Sequence, residues 1–209
     1  MLYTVDMKPV SASFPTRAQG RNATRQLCFA AACVALLTVC SWVSIPVFSV
    51  PFTLQTFAVF FTIGLLGTKW GFWAILAYVG LGALGVPVFS GMTGGIGRLA
   101  GVTGGYILGF LAACPISGPL LKAAKDKPLA QFGAMLAGLV VCYAVGTVWF
   151  VFVAGNTSVA GLGAALMACV VPFVPADAVK LALAVVLLAR LRPLLRRGEG
   201  VERETNMSK

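Results

Sequence analysis

Six acidic side chains occur in the chain, and five of them (Asp6, Asp126, Glu199, Glu202 and Glu204) fall in polar, basic stretches. The sixth, Asp177, stands inside the apolar run PADAVKLALAVVLLARL, and the one lysine of that run, Lys180, follows three residues later. On a helix that spacing puts carboxylate and ammonium on one face, where they can meet. A charge held in a membrane segment costs about 3 kcal/mol or more unless it is paired or wet, so the pair is expected to serve a ligand. A local reading competes with this one. Asp177 could simply cap the helix start, where the dipole favours a carboxylate, with Lys180 neutralising it or reaching outward.

A third scarce charge, Arg98, stands alone in the link GVPVFSGMTGGIGRLAGVTGGYILGF, residues 85–110. Gly91, Gly94, Gly95, Gly104 and Gly105 in that link allow positive φ and close backbone approach, and their peptide N–H groups are expected to be free to face a ligand. The link therefore reads as a lid over a small polar solute held by Asp177, Lys180 and Arg98. The plainer alternative is a flexible loop followed by a small-residue helix contact, Gly105 and Gly109 having G-x-x-x-G spacing.

Other chemistries lack their parts. GIGRLA matches a relaxed dinucleotide-binding pattern but follows an apolar helix and opens no βαβ unit. Ser90 has no histidine in the chain to act as base, and no second carboxylate accompanies Asp177 to hold a catalytic metal. The cysteines (Cys28, Cys33, Cys40, Cys114, Cys142 and Cys169) all lie in apolar runs without a C-x-x-C pair, which suits buried thiols better than a metal centre. No catalytic residue, metal or cofactor is expected. There is no Walker A sequence, so any ATP-driven work belongs to another subunit.

The elements that must position these residues are membrane helices. Of 209 residues 59% are hydrophobic and 11% charged, and the mean hydropathy is +0.92. A crossing needs about 20 apolar residues. Apolar runs at 27–45, 52–67, 70–89, 104–121, 132–154 and 164–191 predict six of them; in the last, a lead-in ends at Pro175, where proline suits the first turn of the final helix. The expected fold is thus an all-α integral membrane protein, a compact six-helix bundle over 27–192 between a basic tail at 1–26 and a second tail at 193–209. Lys8, Arg17, Arg21, Arg25, Lys69, Lys122, Lys125, Lys127, Arg190, Arg192, Arg196 and Arg197 then share one side, leaving Arg98 on the other. That asymmetry places both termini in the cytoplasm. It also accounts for the net charge of +10 without nucleic acid, since anionic lipid attracts the same residues.

With those residues in view, the chain resembles the BioY family, the biotin-specific capture (S) components of energy-coupling-factor transporters. The resemblance rests on VPFTLQTF at 50–57, LGVPVFSGMTGG at 84–95, GVTGGYILGF at 101–110 and PADAVKLALA at 175–184, in the family's order, across about 27–191. Val102 replaces a proline usual in the family and Ala176 a frequent glycine; neither change removes a group that could bind ligand.

The resemblance implies a protein of the bacterial cytoplasmic membrane that is not an enzyme and captures biotin at the outer face. Asp177 would accept from the ureido N–H groups, and Lys180 and Arg98 would meet the ureido carbonyl or the valerate carboxylate. Ser90, Thr103, Tyr106 and Gln55 lie in the matched motifs and join the expected site. Delivery inward would use an energy-coupling transmembrane subunit with two ATPases, docked on the first helix where Ala31 and Ala35 have A-x-x-x-A spacing. The alternatives are ordinary packing for those alanines, and for the whole protein a stand-alone secondary carrier with Asp177 as proton relay.

Overall fold

A computed structural model of the chain describes residues 17–45, 52–155 and 159–207, with side chains placed for 23–45, 52–155, 161–167 and 169–193. The rest of the expected N-terminal tail, and Val50 and Pro51 of the first motif, lie outside the described residues.

Helix α1 (Arg17–Trp42) leads into a ribbon of β1 (Ser44–Ile45) and β2 (Phe52–Thr53). There follow α2 (Gln55–Ala83), α3 (Ile96–Ala100), α4 (Gly104–Ala124), α5 (Pro128–Val153), α6 (Val159–Cys169) and α7 (Val174–Met207). The ribbon is antiparallel, with Ser44 opposite Thr53 and Ile45 opposite Phe52. Among the described residues four stretches are long and apolar enough to cross a membrane: Ala23–Trp42, Gln55–Ala83, Gly104–Ala124 and Pro128–Val153. Between Val174 and Leu191, α7 is as apolar in its other residues but carries Asp177, Lys180 and Arg190.

Helix α2 is two antiparallel arms. Gly67 leaves helical geometry with φ 76° and ψ 179°, a conformation that glycine adopts without a Cβ clash. Beyond it the chain doubles back, so that a Cβ on Gly71 would lie 3.1 Å from Ile63 Cα and Gln55 Nε2 lies 2.9 Å from Tyr78 OH. In one straight helix those two residues would stand about 35 Å apart at 1.5 Å per residue. Every residue of 55–64 is buried, so the first arm lies in the interior of the bundle, and α2 as a whole packs against α1, α4 and α7. A helix surrounded in this way must be apolar on all faces, as TFAVFFTIG is.

Several expected boundaries are corrected. Residues 17–26 of the expected tail are helical, and α7 continues past Pro193 to Met207; both segments are rich in good helix formers. The second run begins as a strand, with helix from Gln55. The third stops at Ala83, where Gly85 (φ 97°) and Pro87 turn the chain. Its last residues fold back inward, and the Phe89 ring, 2% exposed, packs edge-on against Tyr78 at 5.6 Å. The link contains a short helix, α3, and the lead-in to α7 is itself a helix, α6. Apolarity registers burial in protein and in lipid alike, so it overran these ends.

The two ends of the bundle differ in charge. Arg192 donates from Nη2 to Gly64 O at 2.6 Å and from Nη1 to Lys125 O at 3.4 Å, which gathers the α2 turn, the α4–α5 turn and the later part of α7 at one end. Lys69, Lys122, Lys125, Lys127 and Arg190 belong to the same segments. The starts of α2, α4 and α7 meet at the opposite end.

Candidate ligand site

At that opposite end a cavity with about 670 Å³ of empty space, counting its open mouth, is lined by residues from β2, α2, the 84–103 link, α4, α5, α6 and α7. Asp177 and Lys180 form its charged wall. Pro175 and Asp177 lie in the first turn of α7, and the i, i+3 spacing brings Lys180 Nζ to 2.6 Å from Asp177 Oδ1. Both residues are buried, at 3% and 5% exposure. Tyr143 OH donates to the other carboxylate oxygen, Oδ2. The ammonium also sits 3.8 Å from the centroid of the Phe52 ring, a cation–π contact that offsets part of its desolvation. Phe52 in turn stacks on Phe173 at 6.1 Å. An ion pair stripped of water is tolerated only when its remaining hydrogen-bonding capacity is met, and these neighbours meet much of it.

Of the seven expected ligand residues, Gln55, Ser90, Thr103, Tyr106, Asp177 and Lys180 line the cavity together. Arg98 does not. Its Nε donates to Thr93 Oγ1 at 2.8 Å and its Nη2 to Ser90 O at 3.2 Å, while Thr93 Oγ1 donates to Ser90 O at 2.9 Å. The guanidinium fork thus holds the 90–93 turn beside the cavity, which a residue's charge alone does not reveal.

The glycines of the link divide into two groups. Gly91 and Gly95 take φ 71° and 96°, and a Cβ on Gly94 would lie 2.4 Å from Val86 O, so these three shape the turn. Gly95 N–H is spent on Gly82 O at 2.6 Å. Gly104 and Gly105 instead belong to the first turn of α4, where a Cβ would press on Leu99 O at 1.7 Å and on Trp149 Cβ at 2.1 Å. They are packing positions at the start of α4 and not part of the link's turn. Gly109 likewise lies against Cys142 on α5, so the small-residue helix contact is present as well.

The sequence did not assign to the site Tyr143, Phe173 and the thiols Cys142 and Cys169, which line the cavity, or Phe52, which faces Lys180. Tyr143 did carry a signal, being a phenol well inside a long apolar helix where its hydroxyl needs a partner. The two phenylalanines carried none. Cys33, Cys40, Cys114, Cys142 and Cys169 are buried, Cys28 is exposed, and all six are free thiols.

A hydrophobic bundle with a polar, ion-paired cavity at the end opposite its lysine- and arginine-rich turns has the build of a membrane protein that holds a small molecule. The comparisons name the family. Residues 10–197 match the model of the BioY family, and the chain belongs to that family. "Biotin transporter BioY" of Thermotoga maritima is 42% identical over 170 residues, 81% of this chain and 97% of the relative. The protein of the same name from Rhodobacter capsulatus is 36% identical over 192 residues, 85% of this chain and 99% of the relative. A solved structure described as the S-component for biotin from an ECF-type ABC transporter superposes with a TM-score of 0.74 at 27% identity, covering 83% of this chain and 93% of that one. These relatives are transporters and not enzymes.

Proposed function

We propose that this protein is the biotin-capturing subunit of an ATP-driven vitamin uptake system in the cytoplasmic membrane, made of six crossings with both termini inside. The observation that carries the reading is the buried Asp177–Lys180 pair in the wall of a cavity that also collects Gln55, Ser90, Thr103 and Tyr106. Counting the two arms of α2 separately, α1, α4, α5 and α7 complete six passes. The positive-inside rule then turns the basic end to the cytoplasm and the cavity outward.

Biotin's chemistry suits such a wall. Its ureido ring offers two N–H donors and one carbonyl acceptor, matched by the Asp177 carboxylate and the Lys180 ammonium. Its apolar thiophane ring suits Ile107, Phe110, Leu139 and Phe173, which line the same cavity. Release inward is assigned to an energy-coupling transmembrane subunit with two ATPases. Ala31 and Ala35 are both exposed on α1, and small side chains there let a partner helix approach closely.

The test is equilibrium binding of labelled biotin to the detergent-purified protein, with thiamin, riboflavin and lipoate as competitors. Displacement by biotin alone is the expected result. Folded protein that binds no biotin would remove the substrate assignment.

A further inference from the structure

Gln55 enters the cavity at the first turn of α2, and the hydrogen bonds behind it decide which end of its amide a ligand meets. Gln55 Nε2 lies 2.9 Å from Tyr78 OH, and Tyr78 OH lies 2.9 Å from Val88 O. A backbone carbonyl can only accept, so the single phenolic proton is committed to Val88 O. Tyr78 then has only lone pairs to offer Gln55, which must answer with its NH2 group. The opposite amide orientation would set two acceptors against each other at Tyr78. Among the described residues no protein donor reaches Gln55 Oε1.

The relay is rigidly mounted. Tyr78 and Phe89 are 0% and 2% exposed, and Gln55 is 6% exposed. Val88 O also accepts from Ser41 Oγ on α1, and Trp42 Nε1 donates to the neighbouring Pro87 O at 2.8 Å. The carbonyl that directs the proton is therefore held in place from α1, independently of Tyr78.

We infer that Tyr78, remote from the ligand, is a positioning residue that fixes Gln55 as a hydrogen-bond acceptor in the cavity, so that the site selects a ligand bearing an N–H donor at that point. The inference rests on the biotin reading, in which Gln55 Oε1 and Asp177 would receive the two ureido N–H groups. A ligand with an acceptor there faces carbonyl against lone pair, and a buried mismatch of that kind discriminates strongly.

The experiment compares biotin with its two cyclic carbamate analogues, in each of which one ureido N–H is replaced by ring oxygen without added bulk. Wild type is expected to bind both analogues at least about 10-fold more weakly than biotin, the cost of an unpaired buried group. Gln55→Leu should restore near-parity with biotin for one analogue only. Tyr78→Phe, which frees the amide to turn, should weaken biotin about 3- to 10-fold while reducing the discrimination against that same analogue. A Tyr78 of merely structural importance would weaken all three ligands alike and leave their ratios unchanged, which would overturn the positioning role. Wild type that binds biotin and both carbamates equally would overturn the polarity, even if Tyr78→Phe failed to fold. Failure of wild type to bind biotin at all would fall on the substrate assignment instead.

Discussion

Asp177 and Lys180 meet at 2.6 Å with almost no exposure to solvent, and the carboxylate oxygen not taken by Lys180 accepts from Tyr143. The carboxylate is thus held from two helices, α7 and α5, before any ligand arrives. Replacing it by a neutral amide leaves a buried ammonium without its counter-charge, a loss of about 3–5 kcal/mol for buried pairs. Asp177→Asn is expected to weaken biotin binding at least 10-fold, about the worth of one charge-assisted hydrogen bond, and to lower the melting temperature. The double variant Asp177→Leu with Lys180→Met should regain the melting temperature without regaining binding, because an apolar pair avoids the desolvation cost. Wild-type affinity in Asp177→Asn would end the role assigned to the carboxylate.

Arg98 is expected to act through the 90–93 turn and not through the ligand's carboxylate. Arg98→Ala should raise the biotin dissociation rate and speed amide exchange across that turn, and Arg98→Lys should rescue little, since an ammonium lacks the fork that spans Thr93 and Ser90. Comparing biotin with its methyl ester separates the roles. If Arg98→Ala erased a preference for the free acid, the guanidinium would be a ligand contact after all.

Tyr106 and Gly146 test how the cavity's shape is kept. A Cβ on Gly146 would fall 2.2 Å from the Tyr106 ring, and Tyr106 OH meets Thr147 Oγ1 at 3.4 Å. Gly146→Ala should push the ring out of place and cost about 1–3 kcal/mol of stability, the usual penalty of overpacking, with a loss of affinity. Tyr106→Leu in the same chain should recover part of the melting temperature. An unchanged melting curve for Gly146→Ala would mean that α4 and α5 are not held this closely.

Enlarging the exposed small face of α1 should separate capture from delivery. Ala31→Leu with Ala35→Leu is expected to leave biotin affinity within about 2-fold, the range of an exposed substitution, while co-purification with the coupling subunits and ATP-dependent uptake fall together. Loss of biotin binding itself would return these alanines to packing within the bundle.

Some of this protein was legible in its residues alone. Hydropathy and the crowding of lysine and arginine on one side marked a membrane bundle, and the rarity of charge in its apolar runs singled out Asp177 and Lys180. Helical spacing was enough to pair them, because i and i+3 share a face whatever surrounds the helix. Six of the seven expected ligand residues line one cavity because their motifs fall where helices start or the link turns back.

What the tertiary structure decided depends on contacts between distant segments. Only the doubling-back at Gly67 brings Gln55 to Tyr78, and only the inward fold of Val88 and Phe89 gives that tyrosine its acceptor. Arg98, expected as a ligand residue, stands outside the cavity lining and clasps Ser90 and Thr93, since a charge's partner is set by what lies within about 3 Å and not by its type. Gly104 and Gly105 read as lid in the chain, yet Leu99 and Trp149 occupy the space their missing side chains leave. Composition records which residues avoid water, and packing settles what each of them touches instead.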